Sequence, residues 1–352
     1  MKDARPDDLV APRLTIRNKQ LSFWKNKCVV VTGGAGFLGT AVVEILQQKS
    51  CRKIFVPRKT NYDLVEMENV KRLYEDAQPD VVIHLAASVG GIGANLQNPG
   101  TFFYENIMMG TQMMEVGRQI GLEKFVAVGT VCSYPKYTPI PFHVDDLWNG
   151  YPEETNAPYG LAKKMLAVQS QAYRTQYQFN SIFLLPANLY GPGDNFDELS
   201  SHVIPAFIHK CVQARRMGME RITLWGTGAA TREFLYVTDA AKAIVLAAEK
   251  YNDWLPLNLG TGQEIRIKDL WEIIKGEVGY RGEVEWNHHM PDGQPRRCLD
   301  VSAMKEQLQF SPEMILEEGL KNTINWYTNR FHEKPVPVIN KCEKPLETNN
   351  VL

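Results

Sequence analysis

The sequence has no closely spaced cysteine pair. Its six cysteines, Cys28, Cys51, Cys132, Cys211, Cys298 and Cys342, are scattered with no Cys-x-x-Cys spacing. That argues against a zinc site and a disulfide framework, and reads as reduced thiols in a cytoplasmic protein. The seven histidines lack metal spacing too; His288 and His289 are adjacent and would face opposite ways on a strand. No apolar run approaches the roughly 20 residues that cross a bilayer. The polar, acidic start has no signal-peptide core. Nor is there an excess of charge: 39 Lys+Arg against 40 Asp+Glu leave a formal net charge of −1. Neither nucleic acid nor an anionic membrane is therefore an expected partner. Internal repeats and low-complexity segments are absent.

What is present is an alternation. The chain is 352 residues long, 44% hydrophobic and 22% charged, enough for a large core and one or two domains. Short β-rich runs at Cys28–Thr32, Lys53–Val56, Val81–Ala86, Phe125–Val128 and Ser181–Leu185 read as buried strands. Helical patterns lie between them, including 101–119 and 158–176. Such βαβ alternation predicts an α/β fold, a doubly wound parallel Rossmann sheet with helices on both faces. After Pro186 the texture turns loop-like, with NLYGPGDNFDELSS dense in Gly, Pro, Asn and Asp. A helix over 203–216 and a strand over Ile222–Trp225 follow. Residues 234–250 read as a strand and helix returning to the main sheet. The expected organisation is an N-terminal arm (1–22), a Rossmann domain (23–185 with 234–260), a smaller C-terminal substrate-binding α/β domain (186–233 with 261–330) and a loose tail (331–352).

VTGGAGFLG (31–39) places Gly33, Gly36 and Gly39 in G-x-x-G-x-x-G spacing between a strand and a helix. Glycines there allow a tight turn and close approach of a pyrophosphate, with the helix N-terminus facing its charge. The alternative is a structural glycine turn. The end of the second strand then selects the dinucleotide. An acid would bond the ribose 2′-hydroxyl of NAD, but the sequence reads Val56-Pro57-Arg58-Lys59. Two cations suit the 2′-phosphate of NADPH/NADP+; a solvated basic turn is the bland reading.

Tyr159 and Lys163 sit at i and i+4 on one helical face. A nearby ammonium is expected to lower the phenol pKa from ~10 and make it a usable proton donor or acceptor. An exposed helix pair is the alternative. Thr130 ends a strand, where open α/β sheets bind ligands, and its hydroxyl can hold a carbonyl oxygen beside Tyr159. It also fits as a plain β-branched strand residue.

These motifs resemble the extended short-chain dehydrogenase/reductase family and, within it, the GDP-L-fucose synthase branch. The resemblance covers about residues 27–330 and includes HLAASVGGIGAN (84–95), TVCSYPK (130–136), TNAPYGLAKK (155–164), PANLYGPGDNF (186–196), SSHVIPA (200–206), LWGTGAATREFL (224–235) and PDGQPRR (291–297). It implies an NADPH-dependent 3,5-epimerase/4-reductase of a GDP-4-keto-6-deoxy-hexose, giving GDP-L-fucose. It implies Thr130, in place of the usual Ser, with Tyr159 and Lys163 as the reductase group. Cys132 and His202 match the epimerisation acid–base pair. Phe37, Leu38, Asp63 and Leu64 join the three glycines, Arg58, Lys59 and Lys163 as cofactor-binding positions. Asn188, Lys210, Trp225, Arg232, Asp292 and Arg297 become candidates for holding the GDP-sugar. Arg297 stands where the family often has Lys, and Lys210 where it often has Arg; the two differ in hydrogen-bond geometry. His288-His289-Met290 departs from the usual Ser-Lys. A homodimer through the helix near Phe102–Ile120, which carries Met108, Met109, Met113 and Met114, is also implied.

Read from the residues alone, Trp225 fits a core position as well as a base-stacking platform. Arg232 fits a plain ion pair with Glu233, and His202 a structural histidine. Cys132 fits a buried small residue or a base. A carbon next to a ketone needs a base to lose its hydrogen and an acid to regain it on the other face. A thiol of ordinary pKa ~8.5 with cations nearby, and an imidazole, can serve. The rival readings are a related GDP-sugar such as a 6-deoxyheptose, epimerisation without reduction as in a GDP-mannose 3,5-epimerase, and a catalytically silent NADP(H)-binding regulatory protein.

Overall fold

The computed structural model describes residues 23–198 and 200–331. The arm and nearly all of the tail expected at the two ends, with Cys342, lie outside the described residues. In chain order the elements are β1 (Cys28–Thr32), α1 (Phe37–Gln47), β2 (Lys53–Phe55), α2 (Met67–Ala77), β3 (Val81–His84), α3 (Ile92–Gln97), α4 (Pro99–Gln119) and β4 (Lys124–Val128). Then come α5 (Ala157–Tyr177), β5 (Ser181–Pro186), β6 (Asn188–Tyr190), α6 (Val203–Met217), β7 (Arg221–Trp225), β8 (Thr231–Tyr236) and α7 (Val237–Lys250). The last are β9 (Leu257–Leu259), β10 (Glu264–Arg266), α8 (Ile267–Val278), β11 (Glu283–Asn287), α9 (Ser302–Leu308) and α10 (Leu316–Phe331).

Six strands form a wholly parallel sheet in the order β2-β1-β3-β4-β5-β9. The expected Rossmann architecture is present. Residues of β1, β3, β4 and β5 are buried throughout, because helices cover both faces of such a sheet. The chain passes outward from β1 to β2 and then crosses back to β3. The strand order therefore reverses between β1 and β3, and a crevice opens at their carboxyl ends.

The strand expected to return to this sheet at 234 does not do so. β8 pairs with β6 and β10 in a separate three-stranded sheet, Asn188 lying opposite Phe234 and Arg232 opposite Ile265. Only α7 and β9 return. The buried alanines of α7, Ala240, Ala241, Ala243, Ala247 and Ala248, let it lie against α1. A parallel pair, β7 with β11, completes the smaller region.

Two hydrophobic clusters result. The larger surrounds the parallel sheet. The smaller gathers Phe207, Ile208, Trp271, Ile274 and Leu320 from α6, α8 and α10 around β7 and β8. Leu299, Val301, Met304 and Leu308 pack on the larger cluster, so the chain crosses back to it late. Among the described residues, no helix is long and apolar enough to cross a membrane.

Candidate active site

One cavity of about 1040 Å³ lies over the carboxyl ends of β1, β3 and β4 and runs to β7 and β8. Its first end is made by the glycine turn. Gly33 sits at φ +68°, a conformation costly for a side chain, and a Cβ there would stand 2.9 Å from the Ala86 nitrogen. A Cβ on Gly39 would fall 2.0 Å from the Gly33 carbonyl oxygen. Gly36 caps α1 with no side-chain bond, so the first N–H groups of that helix have no side-chain capping partner. Gly33, Gly36, Phe37, Leu38 and Gly39 all line the cavity. A cradle that a methyl group would fill, at a bare helix N-terminus, fits a dinucleotide pyrophosphate. Arg58 and Lys59 follow β2 on the same wall, with Asp63 and Leu64 beside them.

The middle of the cavity is set by a turn after β4. Thr130 Oγ1 accepts from the Cys132 N–H at 3.2 Å, starting a single 3₁₀ turn over Val131–Ser133. Ser133 Oγ donates to the Gly160 carbonyl at 2.9 Å, tying this turn to α5. The contact needs glycine: a Cβ on Gly160 would lie 2.4 Å from the Cys132 carbonyl oxygen. Cys132 is thereby held beside Tyr159, whose side chain hydrogen-bonds Thr130. Lys163 follows one turn later on α5, and both line the cavity.

The expectation that Lys163 draws the Tyr159 phenol down is not met. Burial dominates and pushes the phenol up, neighbouring Cys132 adds to this, and the Thr130 bond opposes it. Burial also pulls the Lys163 ammonium down to about 8.

His202, just before α6, presents its ring to the cavity while protein surrounds it. It is exposed into the cavity, and the protein atoms of the cleft crowd around it. Burial, with Arg297 adding to it, lowers its pKa. The imidazolium is therefore a stronger acid and a scarcer one near neutrality.

The far end is built from side chains. Arg232 and Arg297 are 8% and 6% exposed. Burial, and next the charge of Arg297, pull Arg232 down to about 9. The suggested ion pair with Glu233 is absent, since adjacent strand residues face opposite ways. Arg232 donates to the carbonyls of Thr231 at 2.7 Å and Asp292 at 3.0 Å. Glu233 instead accepts the backbone N–H groups of Thr261, Gly262 and Leu299. Trp225 is 48% exposed at the end of β7 and lines the cavity, so it is not a core residue. Asn188, Lys210 and Asp292 line it as well. Asp292 is partly committed: its two oxygens accept the Thr227 N–H and hydroxyl, each at 2.7 Å.

Every residue singled out in the sequence for chemistry or binding faces this cavity. The sequence reading missed several that shape it. Gln294 accepts Arg297 Nε at 2.7 Å and donates to the Pro135 carbonyl at 2.9 Å, fixing the guanidinium. Asp194 lines the cavity with its Oδ2 buried and unpartnered among the described residues, and burial pushes its carboxyl up to about 7. Asn156 lines the wall, held at 2.9 Å by the buried Glu153. No spacing signal marks a lone Gln, Asp or Asn in a loop. No group of His, Cys, Asp or Glu among the described residues is arranged to hold a metal.

Residues 29–260 match the model of the NAD dependent epimerase/dehydratase family. The chain belongs to that family. It is similar to GDP-L-fucose synthase 1 of Arabidopsis thaliana, 36% identical over 303 residues, covering 86% of this chain and 94% of that one. Among solved structures it resembles a GDP-6-OMe-4-keto-L-xylo-heptose reductase from C. jejuni (TM-score 0.81, 26% identity, 87% of this chain and 98% of that one). It also resembles a GDP-L-fucose synthetase from Naegleria fowleri bound to NADP (TM-score 0.79, 25% identity, 89% and 97%). The glycine cradle lies inside the matched span, and so do the Tyr159–Lys163 helix and Cys132.

Proposed function

We propose that the chain is an NADPH-dependent enzyme that epimerises a GDP-4-keto-6-deoxy-hexose at C3 and C5 and reduces its 4-keto group, giving GDP-L-fucose. The coarser reading, an NADP(H)-dependent epimerase/reductase of a GDP-sugar, rests on the family and its relatives. One observation carries the finer one. Thr130, Cys132, Tyr159, Lys163 and His202 line the same cavity as a dinucleotide cradle and two buried arginines.

The chemistry follows from these neighbours. Arg232 and Arg297 take the diphosphate of the sugar nucleotide, and Trp225 offers its exposed face to the base. Cys132 removes the proton from the carbon beside the ketone, and His202 returns one on the opposite face. Negative charge that builds on the 4-keto oxygen meets the Tyr159 and Thr130 hydroxyls. NADPH, when bound, supplies the hydride. Tyr159 then gives its proton to the oxygen, with Lys163 one turn away on the same helix. We also infer that the smaller hydrophobic cluster marks the sugar-nucleotide lobe. A homodimer through α4 is supported by Phe103 and Tyr104, 41% and 54% exposed on that helix. Three of the four methionines do not support it: Met109, Met113 and Met114 are buried in the chain's own core, while Met108 is half-buried.

The test is incubation with a panel of GDP-4-keto sugars and NADPH, with the product read by NMR. The proposal expects GDP-L-fucose from GDP-4-keto-6-deoxy-D-mannose. Turnover of a heptose analogue alone would move the assignment to the reaction named for the C. jejuni relative. Binding of NADPH without turnover of any sugar would leave a regulatory protein.

A further inference from the structure

The residues that follow β2 supply cations, Arg58 and Lys59, where a dinucleotide fold selects between a 2′-phosphate and a 2′-hydroxyl. The fold brings an acid to the same place from another element. Glu105, in the first half of α4, sets its Oε1 3.7 Å from Lys59 Nζ. Its Oε2 accepts the Ser88 hydroxyl. Ser88 lines the cavity and is itself fixed, its N–H given to Asn106 Oδ1 at 3.1 Å and its carbonyl accepting Asn106 Nδ2 at 2.8 Å. Asp63 also approaches Lys59, at 4.0 Å. Lys59 thus pairs with two carboxylates. Arg58, next to it on the wall, enters no ion pair among the described residues.

We propose that Glu105 is a specificity-determining residue for the dinucleotide: by holding Lys59 it weakens the grip on a 2′-phosphate and limits the preference for NADPH over NADH. The inference rests on the cofactor reading above. A phosphate arriving at Lys59 must share the ammonium with Glu105 and is repelled by the same carboxylate. A 2′-hydroxyl carries no charge and meets neither effect. Unit charges ~4 Å apart in high dielectric correspond to about a fivefold change in affinity. Lys59 is 69% exposed, so salt screens the effect.

The test is equilibrium binding of NADP+ and NAD+, by titration calorimetry at low ionic strength. It compares the natural protein with Glu105→Gln, Lys59→Ala and the double variant. Glutamine keeps an acceptor for Ser88 while removing the charge. Glu105→Gln should tighten NADP+ about fivefold, leave NAD+ within about twofold, and lose its effect in the Lys59→Ala background. Unchanged or weaker NADP+ binding, an equal change for both dinucleotides, or an effect that survives without Lys59 overturns the proposal. Should Glu105→Gln not fold, Glu105→Asp, which withdraws the carboxylate by one methylene, is read by the same criteria. Failure of the cofactor reading looks different: the natural protein would bind NADP+ no more tightly than NAD+, and Arg58→Ala would change neither.

Discussion

At the end of the cavity near β1 and α1 the wall is main chain. Gly33, Gly36 and Gly39 leave room, and the first N–H groups of α1 supply the polarity. At the end near β7 and β8 the wall is side chain. Arg232 and Arg297 are buried, and each is steered by a neighbour, Asp292 for one and Gln294 for the other. A backbone cradle recognises a phosphate through geometry that any sequence with the right glycines reproduces. A side-chain wall recognises its ligand through charges, and a change of one partner alters the fit. Exchange of sugar substrates within one family is therefore expected at the second end, while dinucleotide binding persists at the first.

The largest effect should come from breaking the cradle. Gly39→Ala puts a methyl group against the Gly33 carbonyl oxygen, and NADP+ binding should fall by ~100-fold or more. GDP binding, measured separately by calorimetry, should change little. Equal loss of both ligands would mean that the two ends are not independent.

The middle of the cavity tests the comparison next. Cys132→Ser should slow deuterium uptake from D₂O into the 4-keto sugar by at least about 100-fold without NADPH, typical of a lost acid or base. Tyr159→Phe should impair reduction while leaving uptake measurable. Normal uptake in Cys132→Ser would return that thiol to a structural role.

At the side-chain end, Gln294→Ala frees the Arg297 guanidinium. The KM for the sugar nucleotide should rise about tenfold with the NADP+ dissociation constant unchanged, the cost of one charge-assisted hydrogen bond. A kcat loss with constant KM would show that Arg297 acts on the reaction and not on binding.

A stability measurement sharpens the picture at the shared centre. Lys163 is pulled down to about 8 from an ordinary 10.5. Between these values the unfolded chain holds a proton that the folded one has released, so stability rises with pH through that window. Below pH 8 the buried ammonium costs about 3 kcal/mol. Lys163→Met should therefore be the more stable protein at pH 7, and chemical denaturation should show the gap closing by about pH 10.5. A gap constant with pH would assign the difference to packing. The smallest expected signal is the assembly state: a dimer mass by light scattering at micromolar concentration, with Tyr104→Asp shifting it to monomer.

The parallel sheet was legible because its strands are short, apolar and β-branched, and because glycine spacing between a strand and a helix has few other uses. Tyr159 and Lys163 were legible as an i, i+4 pair. The destination of β8 was not. FLYVT reads as a buried strand in either sheet, and only pairing with Asn188–Tyr190 decides between them. The electrostatics were not legible either. Spacing brings an ammonium near a phenol, but burial, which spacing does not report, sets the direction of both shifts. Gln294, Asp194 and Glu105 gave no signal. Gln294 and Glu105 act through contacts between segments far apart in sequence, and Asp194 is distinguished by burial alone.

Gly160 joins the Cys132 turn to the helix that carries Tyr159. Its missing side chain lets the Cys132 carbonyl come within what would be 2.4 Å of a Cβ, and it follows Tyr159 directly in the chain. The backbones that carry the thiol and the phenol thus meet at a contact only glycine allows. Selection acting on either chemistry inherits this contact as a fixed tolerance. New activities in this scaffold are then expected to arise from altered substrates brought to these two groups, with the contact itself left as it is.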